Sequence, residues 1–432
     1  MSQLRVSKEV YLVLASRAVR TFPYGYLSVI LPIYLASTGS STLLGLFFTL
    51  SAASSVAALL LLSIFGHKVN IRSAVVVQLL LFSTAMMVMV LYPSPLPLLI
   101  AAIISTANWA PGGGSGTGAG AYNTSLNILL SEKTDSDSRT FSLSLSAILG
   151  TLAFAAGSVY LGIVGVGTTG LKLQPGFSGN LGLDSPLGYF LLAILAQFVA
   201  VGMISLVSSR RGTASTVPTR SHEGRSPMGH VIRESLRFIV AESCNGFGSG
   251  LFQRFVPLWF FLRFNIGVTS VAAIFAVAGV ITAFLTLSSR WVELRLGAAN
   301  SVFASRVGFG VSLLGLAIAP TLPVALAIYY ASLVVSRVSA PIQQSFVFAS
   351  IPSADWTRAN STVATSFAFA NTIGPLIGAF LLLNVNLDLP FFVAFPFFVL
   401  SGLVYGFSFR RSKIAPAEHG EADPRAQGAT PQ

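Results

Sequence analysis

The chain has 432 residues, of which 53% are hydrophobic and only 9% are charged, and its mean hydropathy is +0.76. Because an ordinary soluble domain carries roughly 25% charged residues, this composition excludes a water-soluble globular protein. The net charge of +12 does not indicate a nucleic-acid partner, because the basic residues stand in short loops between apolar runs. The single cysteine, Cys244, excludes an internal disulfide and a cysteine-based metal framework.

A membrane-spanning helix needs about 20 predominantly apolar residues, and the sequence contains twelve such stretches. They must be helical, since hydrocarbon offers no hydrogen-bond partner to the backbone. The predicted spans are residues 10–36, 42–65, 73–92, 96–130, 141–164, 186–207, 232–262, 268–287, 301–319, 322–348, 361–383 and 389–407. The first run is treated as a span and not as a signal peptide, because Arg17 and Arg20 interrupt it and no small-residue cleavage site closes it.

A polar, arginine-rich linker at residues 208–229 divides the chain near its middle. We predict a six-helix bundle at 1–207, a second at 230–409, and a disordered polar tail at 410–432. Counted from an inside N-terminus, the inner segments hold the linker arginines and Arg5, Lys8, Lys68, Arg72, Lys133, Arg139, Arg290, Arg295, Arg358, Arg410, Arg411 and Lys413. The outer loops hold only Lys172 and Arg263. The positive-inside rule therefore places both termini and the linker in the cytoplasm, in a multi-pass protein of the cell membrane.

The two halves resemble each other in sequence. The run from Gly25 to Pro32 has the same layout as the run from Gly250 to Pro257. A short Asp/Arg segment follows the fourth span at Asp137–Arg139 and the tenth span at Asp355–Arg358. Both matches lie near half the chain length apart and predict a duplicated six-helix unit. Many secondary transporters are built from such repeats, with the substrate site between them near the bilayer midplane.

The chain resembles transporters of the major facilitator superfamily. The resemblance rests on the opening segment 17–29, on Gly374–Gly378 in the eleventh span, and on the loop after the second span. The superfamily's signature in that loop is G-x-x-x-D-R-x-G-R. Here Gly66 is kept, Asn70 replaces the acid, and Arg72 is not followed by the arginine-glycine pair. The resemblance implies an all-α integral membrane protein of twelve helices in two pseudo-symmetric six-helix bundles.

The resemblance also implies gating contacts at the inner ends of the helices. The residues concerned are Gly66, Asn70, Arg72, Arg139, Glu293, Arg295 and Arg358. The loop after the eighth span, Glu293 to Gly297, keeps an acid, a base and a glycine. Because Asn70 is neutral, we expect the inner gate of the first half to lack the usual salt bridge.

In this fold the first, fourth, seventh and tenth helices line the central cavity. The candidate substrate-pathway residues on them are Arg20, Tyr24, Asn108, Trp109, Gln253, Arg254, Arg337 and Gln343. The arginines among them would give the cavity a positive potential that selects an anionic substrate. The alternative is that each arginine caps a carbonyl or pairs locally. Pro257, three residues after Arg254, predicts a kink in the seventh helix.

Glu242 is the only acid well inside an apolar stretch, and the repeat alignment sets it opposite Arg17. Two interpretations stay open at this point: a structural ion pair between the halves, or a carboxylate that couples transport to protons. Arg306 lies just inside the ninth span and is expected to snorkel to the inner surface. Arg17 could snorkel in the same way.

The glycine run from Pro111 to Gly120 imitates a nucleotide-binding loop, but no strand precedes it and no lysine follows it. Gly112, Gly116 and Gly120 recur at every fourth residue, which favours close approach of a neighbouring helix in the membrane. The sequence shows no catalytic constellation and no ATP-binding motif, so we expect neither an enzyme nor a bound cofactor.

These observations predict a monomeric secondary active transporter of a small organic solute, driven by protons, another coupling ion or exchange. Export of amphipathic compounds is the first expectation, because the cavity helices are aromatic and sparsely charged. Uptake or exchange of an organic anion is the second, and it rests on the arginines. An integral-membrane enzyme and a non-transporting receptor or lipid-handling protein of the same fold are the rival classes.

Overall fold

A computed structural model of the chain describes residues 8–37, 40–65, 70–106, 121–134, 136–165, 186–208, 228–285, 295, 298–349 and 356–409. Throughout these ranges the regular structure is helical. The helices are α1 Lys8–Ser37, α2 Ser41–Phe65, α3 Ile71–Leu91, α4 Pro95–Ser105, α5 Ala121–Glu132, α6 Ser136–Val164, α7 Pro186–Ser205, α8 Met228–Phe252, α9 Val256–Phe264, α10 Val268–Leu285, α11 Ala298–Ala317, α12 Leu322–Ala349, α13 Trp356–Phe380 and α14 Leu389–Phe409. A π-helical turn, Leu381–Val385, continues α13.

Eight of the described helices are long and apolar enough to cross a membrane: α2, α3, α6, α7, α10, α11, α13 with its π turn, and α14. The predicted fourth span corresponds to two helices, α4 and α5, and the predicted seventh span to α8 and α9. The prediction of an all-helical membrane protein is confirmed. The full count of twelve crossings stays a prediction. Over their described residues, the other helices are not both long and apolar enough to count as spans: α1, α4, α5, α8, α9 and α12.

The predicted kink in the seventh span is a complete break between two helices. Helix α8 ends at Phe252, and α9 begins at Val256 with Pro257 in its first turn. Proline has no N–H to donate to the carbonyl four residues earlier, so the hydrogen-bond ladder cannot run through Pro257. The break places Gln253 and Arg254 on non-helical backbone.

The same order of packing recurs in both halves. In the first half, α1 packs on α6 and α7, and α3 packs on α4 and α7. In the second half, α8 packs on α13 and α14, and α11 packs on α12 and α14. Each pair in one half therefore has its counterpart in the other, which is the pseudo-symmetry that the sequence repeat predicts.

Glycines set the closest helix crossing of each half. On α1, Gly25 lies against the backbone of Phe154 and Gly157 on α6; on α8, Gly250 lies against Asn371 and Gly374 on α13. Gly250 follows Gly25 by 225 positions, and Asn371 and Gly374 follow Phe154 and Gly157 by 217. The crossings are thus equivalent residue by residue. A side chain at these glycines would meet backbone atoms of the facing helix, so the sequence needs glycine there.

The two halves meet through α2 with α13, through α6 with α10, and through α1 with α9 and α10. Asn384 Nδ2 donates a hydrogen bond to Ser41 Oγ over 2.6 Å, and the rings of Phe48 and Phe255 lie 5.7 Å apart. Gly45 also packs on Leu376. These contacts lie toward the helix ends that the predicted topology places outside the cell. The halves also meet nearer the middle of the helices, where Gly279 on α10 packs on Ala155 of α6.

Candidate functional site

Glu242 is bound entirely within the second half. Its carboxylate accepts from Arg306 over 3.1 Å, from the Tyr405 hydroxyl over 3.3 Å and from Asn245 Nδ2 over 3.0 Å. Arg306 comes from α11 and Tyr405 from α14, so this network joins three helices of one bundle. The predicted pairing of Glu242 with Arg17 is not formed, because each of these side chains points into its own bundle. The expectation that Arg306 snorkels to the inner surface is also wrong. Its side chain is only 15% exposed and forms an ion pair with Glu242.

Arg17 is buried in the first half and donates to neutral partners. Its Nη1 donates to Ser146 Oγ over 2.8 Å and to Asn127 Oδ1 over 3.2 Å. Gly150 makes room for the guanidinium, because a Cβ built there would lie 2.9 Å from Arg17 Nε. Arg17 therefore ties α1 to α5 and α6 and faces the interior of its bundle.

Arg20 lies one turn further along α1 in an aromatic surrounding. Its guanidinium carbon is 3.5 Å from the ring centroid of Tyr122 and 4.8 Å from that of Tyr24. Its Nη2 donates to the Tyr24 hydroxyl over 3.0 Å, and the Tyr24 ring stacks on Phe82 with centroids 5.1 Å apart. The structure thus brings together two predicted site residues, Arg20 and Tyr24. It adds Tyr122 from α5 and Phe82 from α3, which no pattern in the sequence marked as site residues.

Arg254 lies in the break between α8 and α9, fully buried. Its Nη2 donates to Asn371 Oδ1 over 2.7 Å, and Asn371 Nδ2 donates to the carbonyl of Gly246 over 3.1 Å. Asn371 therefore holds the guanidinium in place against the glycine crossing of α8 and α13. The neighbouring predicted residue, Gln253, is half-buried. Asn371 could not be selected from the sequence, because its helix contains several polar residues and no sequence pattern links this asparagine to Arg254.

The remaining predicted pathway residues cannot be placed at the side-chain level. Asn108, Trp109 and the glycine run 111–120 lie outside the described residues. Arg337 and Gln343 belong to α12, but their side chains are not described. Of the gating residues, Gly66 and Glu293 lie outside the described ranges, Arg295 is an exposed helical residue, and the side chains of Arg139 and Arg358 are not described.

Asn70 and Arg72 begin α3 and reach across to α7. Asn70 caps the helix, with Oδ1 accepting from the backbone N–H of Arg72 over 3.0 Å. Asparagine is as good an N-cap as aspartate, so the replacement of the acid preserves this local structure. Arg72 donates to the carbonyl of Ser205 at the end of α7.

A second inner contact joins three helix ends of the first half. Lys133 Nζ lies 2.9 Å from the Glu9 carboxylate and donates to the Ser208 carbonyl over 2.8 Å. The backbone N–H of Ser208 donates to Glu9 over 3.2 Å. The hydrogen bond from Lys133 is the main cause that holds the pKa of Glu9 below its ordinary value. The start of the linker is therefore fixed to the first bundle.

At the predicted outer side, Asp388 joins the turn before α14 to α9. Trp259 Nε1 donates to Asp388 Oδ1 over 2.8 Å, and Arg263 Nε lies 3.5 Å from Oδ2. Trp259 is fully buried among the aromatic side chains that pack the outer side.

The buried charge within the described ranges is predominantly positive. Arg17, Arg20 and Arg254 are buried, and Glu242 is the one buried acid described. Over the same ranges no cluster of three or more histidine, cysteine, aspartate or glutamate side chains is arranged to hold a metal ion. The arrangement can therefore attract an anion electrostatically, and the arginines lie on α1 and at the break between α8 and α9.

No protein-family model and no curated protein matches this sequence. Solved transporter structures do resemble its fold over nearly their whole length. The nucleoside transporter NupG has a TM-score of 0.69 at 11% identity, covering 94% of this chain and 100% of its own. A bacterial homologue of the iron transporter ferroportin, in an inward-facing state, has a TM-score of 0.67 at 14% identity, covering 94% and 98%. An auto-inhibited peptide transporter of the POT family has a TM-score of 0.67 at 11% identity, covering 96% and 99%.

At these identities the likeness establishes the fold alone. It agrees with the repeated packing of the two halves and with the sequence resemblance stated above. The chain is an all-helical membrane protein with the fold of these solved transporters, as the sequence resemblance implies.

Proposed function

We propose that this protein carries a small organic anion across the cell membrane as a secondary active transporter, by alternating access. The fold supports transport, because two repeats that face each other across a central cleft can rock about a fixed midplane site. The contacts of Ser41 with Asn384 and of Gly45 with Leu376, at the helix ends that the predicted topology places outside, support a resting state closed to the outside. Opening would separate α2 from α13 and α6 from α10 at that side.

The observation that carries the substrate class is the excess of buried arginine. Among the described residues Arg17, Arg20 and Arg254 are buried and Glu242 is the one buried acid, and the resulting positive potential favours a ligand of negative charge. Of the two substrate classes that the sequence predicts, organic anions therefore fit better than amphipathic compounds in general. The fold does not decide this, since its likenesses include structures described as transporters of nucleosides, of peptides and, in the human MFSD10, of organic anions.

The repeat itself does not require these charges. By the offsets of 225 and 217 residues, the positions equivalent to Arg254 and Asn371 are Val29 and Phe154, both buried and apolar. The same crossing of helices is therefore built without charge in the first half. Because helix packing does not require a charge at this position, we infer that Arg254 serves a ligand.

Glu242 is proposed to be structural, and not the coupling carboxylate. It is held by Arg306, Tyr405 and Asn245 from three helices of the second bundle, so its carboxylate links the helices of that bundle. The driving force is then the gradient of an ion bound elsewhere, or exchange against a second anion.

Counterflow into proteoliposomes tests the proposal. Vesicles with reconstituted protein are loaded with an unlabelled carboxylate and diluted into the labelled compound, with a quaternary ammonium compound and a neutral alcohol of similar size as comparisons. We expect transient accumulation of the carboxylate only. Accumulation of the cation or alcohol in its place contradicts the substrate class, and binding of labelled compound without accumulation of any favours a receptor of the same fold.

A further inference from the structure

Arg20 is held in an orientation that leaves hydrogen-bonding capacity unused. The residue is 9% exposed, and the centroid of the Tyr122 ring lies 3.5 Å from the guanidinium carbon. One Nη2 hydrogen bond goes to Tyr24. Among the described residues, the buried Nε of Arg20 has no hydrogen-bond partner. A buried donor without a partner is destabilising, so an acceptor that reaches this guanidinium would gain a hydrogen bond that the described residues do not supply.

Tyr24 supplies a second group beside this donor. Its side chain is half-buried, whereas Arg20, Tyr122 and Phe82 are buried, so it forms the accessible edge of the cluster. Stacking on Phe82 fixes the Tyr24 ring. A phenol carries both lone pairs and a hydrogen, so Tyr24 can accept from Arg20 and donate to a bound carboxylate at the same time.

The cluster is not a feature of the repeat. The position in the second half equivalent to Arg20 is Asn245, and the position equivalent to Tyr24 is Ser249. Asn245 is used to bind Glu242. Nothing in the shared packing of the two halves therefore calls for an arginine and a tyrosine here.

We propose that Arg20 and Tyr24 form an anion site in the first bundle that binds the carboxylate of an aromatic organic anion, with the Tyr24 ring, held in place by its stacking on Phe82, contacting the apolar body of the ligand. This inference rests on the proposed function and names its substrate class more narrowly. Arg20 can offer two parallel N–H donors, which match the two oxygens of a carboxylate. The neighbouring Arg17, about one turn earlier on α1, adds positive potential nearby.

The test uses the purified full-length protein in detergent and isothermal titration calorimetry. The probes are benzoate, 2-naphthoate and indole-3-acetate, each paired with its neutral primary amide. The variants are Arg20→Gln, Arg20→Lys and Tyr24→Phe. The matched control is Arg263→Gln, which removes the same charge at a half-exposed outer position. Gel filtration and thermal unfolding confirm that each variant is folded.

At least one carboxylate is expected to bind, and its amide to bind at least roughly tenfold more weakly, since a hydrogen bond to a charged group is lost. Arg20→Gln is expected to weaken the carboxylate by a similar factor, with Arg20→Lys intermediate because lysine cannot form the bidentate pair. Equal binding by Arg20→Gln and Arg263→Gln, equal binding of acid and amide, or no binding of any carboxylate overturns the assignment.

Counterflow with the same variants separates this inference from the proposed function. If the wild-type protein accumulates a carboxylate and Arg20→Gln does so with unchanged KM, transport of anions stands and the Arg20 site is wrong. If the wild-type protein accumulates none of the probes although a carboxylate binds at Arg20, the site stands and the transport function is wrong.

Discussion

Arg306 donates to the carboxylate of Glu242 over 3.1 Å, and this ion pair joins α11 to α8 inside the second bundle. The equivalent position to Glu242 in the first bundle is Arg17, which donates to Ser146 and Asn127. One repeat thus builds its interior on an ion pair, and the other on hydrogen bonds from arginine to neutral groups. The two repeats therefore share their helix packing but differ in the charged groups of their interiors.

The ion pair predicts an asymmetric response to mutation. Arg306→Gln leaves the Glu242 carboxylate buried with only the Tyr405 and Asn245 donors, and should destabilise the protein by about 3–5 kcal/mol. The double variant Glu242→Gln/Arg306→Gln should cost less than the sum of the two single variants. Thermal unfolding in detergent measures this, with Lys8→Gln at the exposed start of α1 as the control. Additive losses would show that the two side chains are not energetically coupled.

The glycine crossings predict where a methyl group cannot be accommodated. Gly157→Ala should destabilise the protein by about 1–3 kcal/mol, because the added methyl group meets the backbone of Phe22 on α1. Gly202→Ala on α7 is the control, since no atom lies within 4 Å of a Cβ built there. It should be neutral or stabilising by up to about 1 kcal/mol through helix propensity. Equal unfolding midpoints for the two variants would contradict the close contact of α1 and α6.

A substitution of Asn371 can neutralise the charge of Arg254 and leave the Arg254 side chain itself unchanged. Asn371→Asp places a carboxylate against the buried guanidinium and should reduce the affinity for anions at least about tenfold, or roughly 1.4 kcal/mol. Asn300→Asp makes the same charge change at the exposed start of α11 and should leave transport unaltered. The measurement is the KM of anion counterflow. A KM for Asn371→Asp that equals the KM for Asn300→Asp removes Arg254 from the substrate pathway.

The Glu9–Lys133 pair predicts that the stability of the protein depends on pH. The folded-state pKa of Glu9 is lowered, so its contribution is fully present above the unfolded value of about 4.3. It is lost as the pH falls toward the folded pKa. Because the Glu9 side chain is about a third exposed, the contribution should stay below about 1 kcal/mol. The difference in unfolding midpoint between wild type and Glu9→Gln should shrink as the pH falls from 7 to 3.5, and a constant difference would contradict the pairing.

The fold could be predicted from the sequence because its main signals are local. Apolar length marks the helices, the basic linker marks the middle of the chain, and Pro257 marks the break between α8 and α9. The match of Gly25 with Gly250 is equally readable, since glycine at a helix crossing has few substitutes. All of these features depend on residues close together in the sequence.

The contacts of the site could not be predicted in the same way. Arg306 lies 64 residues from Glu242 and Asn371 lies 117 residues from Arg254, and which helices become neighbours depends on the packing of the whole bundle. The expectation that Glu242 faces Arg17 followed from repeat equivalence, but equivalent positions in two bundles point into different interiors. Tyr122 escaped notice because a tyrosine in an apolar helix is ordinary until a guanidinium is found 3.5 Å from its ring.

The central claim is that transport requires the two bundles to separate at the outer side. Ser41 and Asn384 touch across that interface, and Cys244 is the single native cysteine. The direct measurement is anion counterflow by the variant Ser41→Cys/Asn384→Cys/Cys244→Ser before and after treatment with a short reducible thiol cross-linker. Flux should stop when the two positions are linked and return on reduction, while each single cysteine variant stays active. Undiminished flux through fully cross-linked protein would contradict the account.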